Sequence, residues 1–122
     1  HAYRVGQALS GLAEKNIWVI ASGNITHSLR DWQVAASTNG QTPAYVHRFA
    51  DWVAEKVSAN DVAALLNYRQ HSADGRQAHP SEDHLLPLYV ALGAAGAGAT
   101  PQAFYRGVSD YVIAMDGYAF VN

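Results

Sequence analysis

The chain has no cysteine among its 122 residues, so neither a disulfide framework nor a thiolate metal site can form. Charge is sparse too. Charged residues make up 15%, the formal net charge is −2, and lysine and arginine form no cluster. That removes the electrostatic footprint which nucleic-acid binding requires. No apolar run approaches the ~20 residues that cross a bilayer as a helix. A Gly-x-Ser-x-Gly elbow, a Walker glycine loop and a His-Glu-x-x-His helix are all missing, so serine-hydrolase and nucleotide-binding chemistry have no support. What is present is a composition 49% hydrophobic, as in globular chains, over a length that suits one core. The absence of cysteine is compatible with the cytoplasm, which is the expected location.

Val5, Leu9 and Leu12 recur at helical spacing, with Ala8 and Ala13 alongside, and Lys15-Asn16 closes that helix. Ile17-Trp18-Val19-Ile20-Ala21 follows, bounded by Ser22-Gly23, and reads as a strand buried on both faces. Helix, strand and small-residue loop in that order give an α/β rhythm, in which part of a sheet is flanked by helices. Ligands of such folds gather beyond the carboxyl ends of strands, so the loop from Ser22 to Arg30 becomes a place to look for function.

Gln33 to Gln41 reads as an irregular polar loop, and Thr42-Pro43 as a helix start in which threonine caps. Tyr45, Phe49, Trp52, Val53 and Val57 line one face of that helix, opposite Arg48, Asp51 and Glu55. Asn60 is expected to cap a further helix through Val62, Leu65 and Leu66. Residues 67–78 read as a polar surface connection. Leu85 to Ala91 reads as a helix ending near Gly93, and GAAGAGATP as a flexible loop. Tyr111 to Val121 holds one or two short strands, interrupted at Asp116-Gly117. Trp18, Phe49 and Trp52 are assigned to the core.

Two segments carry chemistry. His27 follows the strand, a glycine and two hydrogen-bonding side chains, and precedes Arg30. An imidazole there serves as base or metal ligand, or simply bonds loop backbone. The second segment, HPSEDHLL from His79 to Leu86, packs two imidazoles and two carboxylates together. An acidic helix start accounts for Pro80, Glu82 and Asp83, but not for two histidines. His79 and His84 are poorly spaced to share one helix face. Pro87 would clash with the Asp83 carbonyl in an ordinary helix, so the regular helix begins near Pro87 and His84 stands on a turn. His79 is assigned a supporting role that orients its neighbours. His47 and His71 read as solvated, and His1 is terminal.

Taken together, IWVIASGNITHSLRDW, FADWVAEKV, AHPSEDHLLPLYVALGAAG and the closing MDGYAF resemble one family. It is the class III extradiol ring-cleavage dioxygenases, in the 4,5-DOPA dioxygenase-like branch. The similarity runs over nearly the whole chain. Its Ser-Gly-x-x-x-His-x-Leu-Arg loop and His-Pro-x-x-[Glu/Asp]-His-x-x-Pro-Leu segment are specific. The resemblance implies a catechol-type aromatic diol such as DOPA, molecular oxygen, and a non-haem Fe(II) or Zn(II). It implies that His27 is the proton-handling base or an ion contact, and that His84 is a metal ligand or its close partner. Asp83 stands where many bacterial relatives carry glutamate.

The family's chains are about twice as long, with two further metal-binding histidines in their amino-terminal half. Residues 1–122 are therefore expected to be the carboxyl-terminal portion of a single catalytic domain, with the chain starting inside a longer protein. Such a piece is expected to be inactive alone, and to pair with the missing half or with itself. Two other functions fit the residues: a non-catalytic metal- or ligand-binding module, and a zinc-dependent hydrolase.

Overall fold

In the computed structural model, which describes residues 1–122, one helix organises the core. This is α3 (Ala44–Ser58), which buries Tyr45, Val46, Phe49, Ala50, Val53 and Val57. Their spacing of three and four makes a single apolar stripe, as the sequence indicates. Around the stripe pack α4 (Val62–Leu66), α5 (Tyr68–His71), α6 (Gly75–Ala78) and α7 (Leu86–Ala95). Leu65, Tyr68, Ala78, Leu85, Tyr89 and Leu92 are their contributions to the core. Burying each of the larger side chains stabilises the fold by roughly 1.5–3 kcal/mol. The Tyr89 hydroxyl donates to the Leu65 carbonyl at 2.6 Å, so this buried phenol carries no unmet polar group.

Helix starts differ in detail from the sequence reading. Thr42 makes no cap, because Pro43 occupies the N-cap position with extended backbone. At α4 the cap is Asp61, whose carboxylate accepts from Ala64 N–H at 3.1 Å. Asn60 instead turns the chain in the left-handed region (φ 56°) and donates to the Ala97 carbonyl at 2.9 Å. Residues 33–41 are not an open loop: α2 (Leu29–Ser37) covers most of them, capped by Ser28, which accepts from Asp31 N–H at 3.3 Å. Residues 67–78 are not a surface connection either, since α5 and α6 bury Tyr68 and Ala78.

The first helix, α1 (Ala2–Ala8), ends sooner than its apolar spacing suggests. A 3₁₀ stretch, Ser10–Lys15, continues it to Asn16, which turns at φ 58°. α1 lies directly on α7 through two glycines. A Cβ on Gly6 would stand 2.9 Å from the Ala94 nitrogen, and one on Gly93 would stand 2.8 Å from the Gln7 nitrogen. The two backbones touch because neither position has a side chain.

Strands occupy the carboxyl-terminal region and pair antiparallel. β1 (Thr100–Tyr105) pairs with β4 (Gly117–Val121), and β2 (Val108–Ser109) with β3 (Ile113–Ala114). The small-residue tract thus splits between the end of α7, a short turn and the start of β1. Arg106 fastens this region to α3, donating to Asp116 at 2.8 Å and to Asp51 at 2.7 Å.

The clearest departure from expectation is Ile17–Ala21, which forms no strand. Trp18 is 87% exposed and Ile20 85%, and the backbone from Trp18 to Gly23 makes no hydrogen bond to other backbone. The β-branched run has the side chains of a buried strand, but this chain supplies no neighbour to pair with it. Trp18 accordingly lies outside the core, while Phe49 is within it and Trp52 packs against it.

Candidate active site

The loop after Ile20 is held between two other segments. On one side Ile25 N–H donates to the Ala114 carbonyl at 3.0 Å. The Thr26 hydroxyl donates to the Val112 carbonyl and accepts from Ala114 N–H, both at 2.7 Å. On the other side Asn24 N–H donates to the His84 carbonyl and His27 N–H to the Ala78 carbonyl, both at 2.8 Å. Ile25 and Thr26 are buried in the middle. The segment read from sequence as a loop is a bonded strip, which fixes where His27 can point.

The turn carrying His84 is shaped by the bonds before α7. Leu85 and Leu86 N–H both reach the Glu82 carbonyl, at 2.9 and 3.1 Å. Pro87 then falls in the first turn of α7, where its missing N–H costs nothing. The helix begins at Leu86, as Pro87 indicated, and His84 precedes it. Gly23 makes the close approach possible: a Cβ there would collide with the His84 carbonyl oxygen and stand 3.0 Å from the Pro87 ring.

The result is that His27 and His84 meet. Their rings stack with centroids 3.5 Å apart and planes 12° from parallel, and both are half-buried. Burial pulls the His27 pKa below its ordinary value, and the neighbouring His84 pulls it further, against the opposing charge of Asp83. Asp83 stands 3.3 Å from His84 Nε2. Its other oxygen accepts from the Ser81 hydroxyl at 2.6 Å, and that bond holds the Asp83 carboxyl below the usual range.

His79 plays a different part from its neighbour in the motif. It is fully buried, in edge contact with Phe49 and Tyr68. Its Nε2 lies 2.6 Å from the Ile25 carbonyl, so that nitrogen carries the proton and donates, while Nδ1 has no partner. Burial pushes its pKa down to about 4, which keeps the ring neutral. His79 thus ties its own turn to the His27 loop. That role was only hinted at by the sequence, where nothing distinguishes a core imidazole from a liganding one. His47 and His71 are exposed, as read.

The donor types suit a borderline metal: two imidazoles with a carboxylate beside them. The count is short, because no group of three or more such side chains converges in this chain. His84, with Asp83 at its Nε2, and His27 supply donors of the right type but fewer than a complete set.

Comparison with known proteins gives the following. A family model described as the catalytic LigB subunit of aromatic ring-opening dioxygenase matches residues 1–118. A Mirabilis jalapa protein described as 4,5-DOPA dioxygenase extradiol is 32% identical over 106 residues, covering 87% of this chain and 39% of its own length. Proteins of the same description from Beta vulgaris and Escherichia coli K12 are 25% and 31% identical, over 100% and 75% of this chain. This chain spans 44% and 34% of those two proteins, less than half of each. The crystal structure of an uncharacterized Escherichia coli K12 protein superposes with a TM-score of 0.81 at 23% identity, covering 99% of this chain and 49% of that one. At that identity the superposition speaks for the fold alone.

Proposed function

The chain belongs to the family of the catalytic LigB subunit of aromatic ring-opening dioxygenases, and from that premise we propose that it serves extradiol cleavage of a catechol-type ring. The observation that carries this reading is the stack of His27 on His84, built on a bonded loop and a proline-stopped turn. The chain would contribute one part of a catalytic domain, the carboxyl-terminal portion, and the activity belongs to the assembled whole.

In this reading His84 holds the ion, with the Asp83 carboxylate beside its Nε2. Iron(II), when bound, supplies the electron path between an aromatic diol and dioxygen, a step that zinc with its single oxidation state does not offer. His27 handles the proton. Its lowered pKa leaves the ring neutral near pH 7, ready to accept a proton from a substrate hydroxyl. The backbone ties through Asn24, Ile25 and His27 hold that base in place without help from the substrate. The substrate class follows from relatives described as acting on DOPA, itself a catechol.

The test is oxygen uptake by the assembled protein, loaded anaerobically with iron(II) and given DOPA or a simpler catechol. Ring opening with stoichiometric oxygen consumption is the expected outcome. Metal-dependent cleavage of esters or amides without oxygen would make it a hydrolase. Catechol binding without turnover would make it a binding module.

A further inference from the structure

No backbone N–H from Ser81 to His84 donates to other backbone, so the turn that carries His84 has no ladder of its own. Its far end is tied by Asn24 N–H, which donates to the His84 carbonyl, and its near end by the His79 ring at Ile25. Between those ties, one side chain from another element bonds the backbone of the turn. It is Arg69, in the last turn of α5. Its guanidinium donates to the His79 carbonyl and reaches the Pro80 carbonyl at 3.5 Å. Its Nε stands 3.4 Å from Glu82 Oε1. Its Cζ lies 5.5 Å from the centre of the Tyr68 ring, which itself meets His79 edge-on.

One guanidinium therefore grips the turn at three places, two carbonyls at its entry and a carboxylate beyond them. A planar fork suits that task, since its N–H groups point in several fixed directions at once, whereas an ammonium is a point charge on a flexible stem. The grip also divides two neighbouring acids. Glu82 is engaged by Arg69, while Asp83 stands 3.3 Å from His84 Nε2. Glu82 is half exposed, so its ion pair is screened, and the charge-assisted bonds to the carbonyls are the stronger part. The Glu82 carbonyl in turn accepts from Leu85 and Leu86 N–H, so whatever fixes Glu82 also fixes the step from turn to α7.

We propose that Arg69 is a positioning residue for His84. By gripping the entry to the turn it sets how the His84 ring faces His27, and it leaves Asp83, not Glu82, as the carboxylate at the imidazoles. The consequence for a bound ion rests on the functional reading above; the placement of the ring does not.

Arg69→Met keeps an apolar stem over Tyr68 and removes every donor, and Arg69→Lys keeps the charge without the fork. Arg48→Met, which breaks a two-bond pair with Asp74, is the control for general loss of stability. In the assembled protein without metal, isotope-labelled histidine should give nuclear Overhauser contacts between the His27 and His84 rings. Those contacts should fade in folded Arg69→Met and persist in folded Arg48→Met. In a cobalt(II) titration, Arg69→Met should bind about tenfold or more weakly, and the visible absorption of the bound ion should shift. Arg69→Lys should recover only part of the loss, and Glu82→Gln should show a smaller one. Unchanged ring contacts and unchanged cobalt absorption in folded Arg69→Met would overturn the proposal. Equal losses in Arg48→Met would do so too, because Arg69 would then act on stability alone. If His84→Ala binds cobalt(II) as tightly as the unaltered protein, the ion reading fails, and the ring contacts by themselves still decide the role of Arg69.

Discussion

His27 faces His84 ring to ring at 3.5 Å, although the two residues come from separate segments. Two imidazolium cations so placed would repel strongly, and burial adds to that cost. Burial and the neighbouring ring lower the His27 pKa, which suits His27 to accept a proton while the other ring holds an ion. His27→Ala in the assembled enzyme should reduce turnover by about 10²–10⁴-fold with little loss of stability. Steady-state rates beside a melting curve check this, and unchanged turnover would return His27 to a loop-bonding role.

The two histidines of the HPSEDH turn should separate cleanly. His84→Ala should weaken metal binding and activity by at least about 10–100-fold, seen by metal titration. His79→Ala should act on the fold instead, removing a buried ring and the bond to Ile25, at about 2–4 kcal/mol. Denaturant unfolding of both variants distinguishes the two. A stable, inactive His79→Ala beside an active His84→Ala would reverse the assignment.

Acid should unfold the protein partly through His79. Its folded pKa of about 4 lies below the ordinary 6.5, so the unfolded chain takes up the proton first as pH falls. The stability held by the neutral ring is complete above pH 6.5 and is lost progressively down to about 4. The total is on the order of 3 kcal/mol. Unfolding free energies measured across that window should slope accordingly, and His79→Leu should flatten the slope.

Gly23→Ala should disturb the site out of proportion to the size of a methyl group. The added Cβ meets the His84 carbonyl, which already accepts from Asn24 N–H, so the turn must shift away from the loop. Metal affinity should fall by about 10-fold or more. If the variant binds metal normally, the close approach at Gly23 does not govern His84.

The 122-residue chain alone, loaded with iron(II), should open no catechol ring, because its converging donors number fewer than three. Turnover by the purified chain, with contaminants excluded, would show that its own residues suffice.

Much of this site was legible in the sequence because its signals are local. Pro87 forbids a helix through Asp83, and Gly23 with His27 marks a shaped loop; both readings needed only neighbouring residues. The helical stripe of α3 was legible for the same reason. The rest depends on partners distant in sequence. Ile17–Ala21 has strand chemistry, yet pairing is a property of two segments, and only one is present. His79 reads like any polar histidine until Phe49, Tyr68 and the Ile25 carbonyl surround it. Residues 67–78 look polar, but Tyr68 and Ala78 turn inward at positions that no simple periodicity marks.

The bare contact of Gly6 on Gly93 makes α1 and α7 a single mechanical part. Ordinary helix pairs are cushioned by side chains that change rotamer when one helix slides. Where these two glycines meet no such cushion exists, so at that point a displacement of α1 bears directly on the backbone of α7. Pro87 and the His84 turn lie at the leading end of that helix. The helix farthest from the two imidazoles in sequence is thus set by backbone contact against the helix that follows one of them, and a side chain added at either glycine would force the two helices apart.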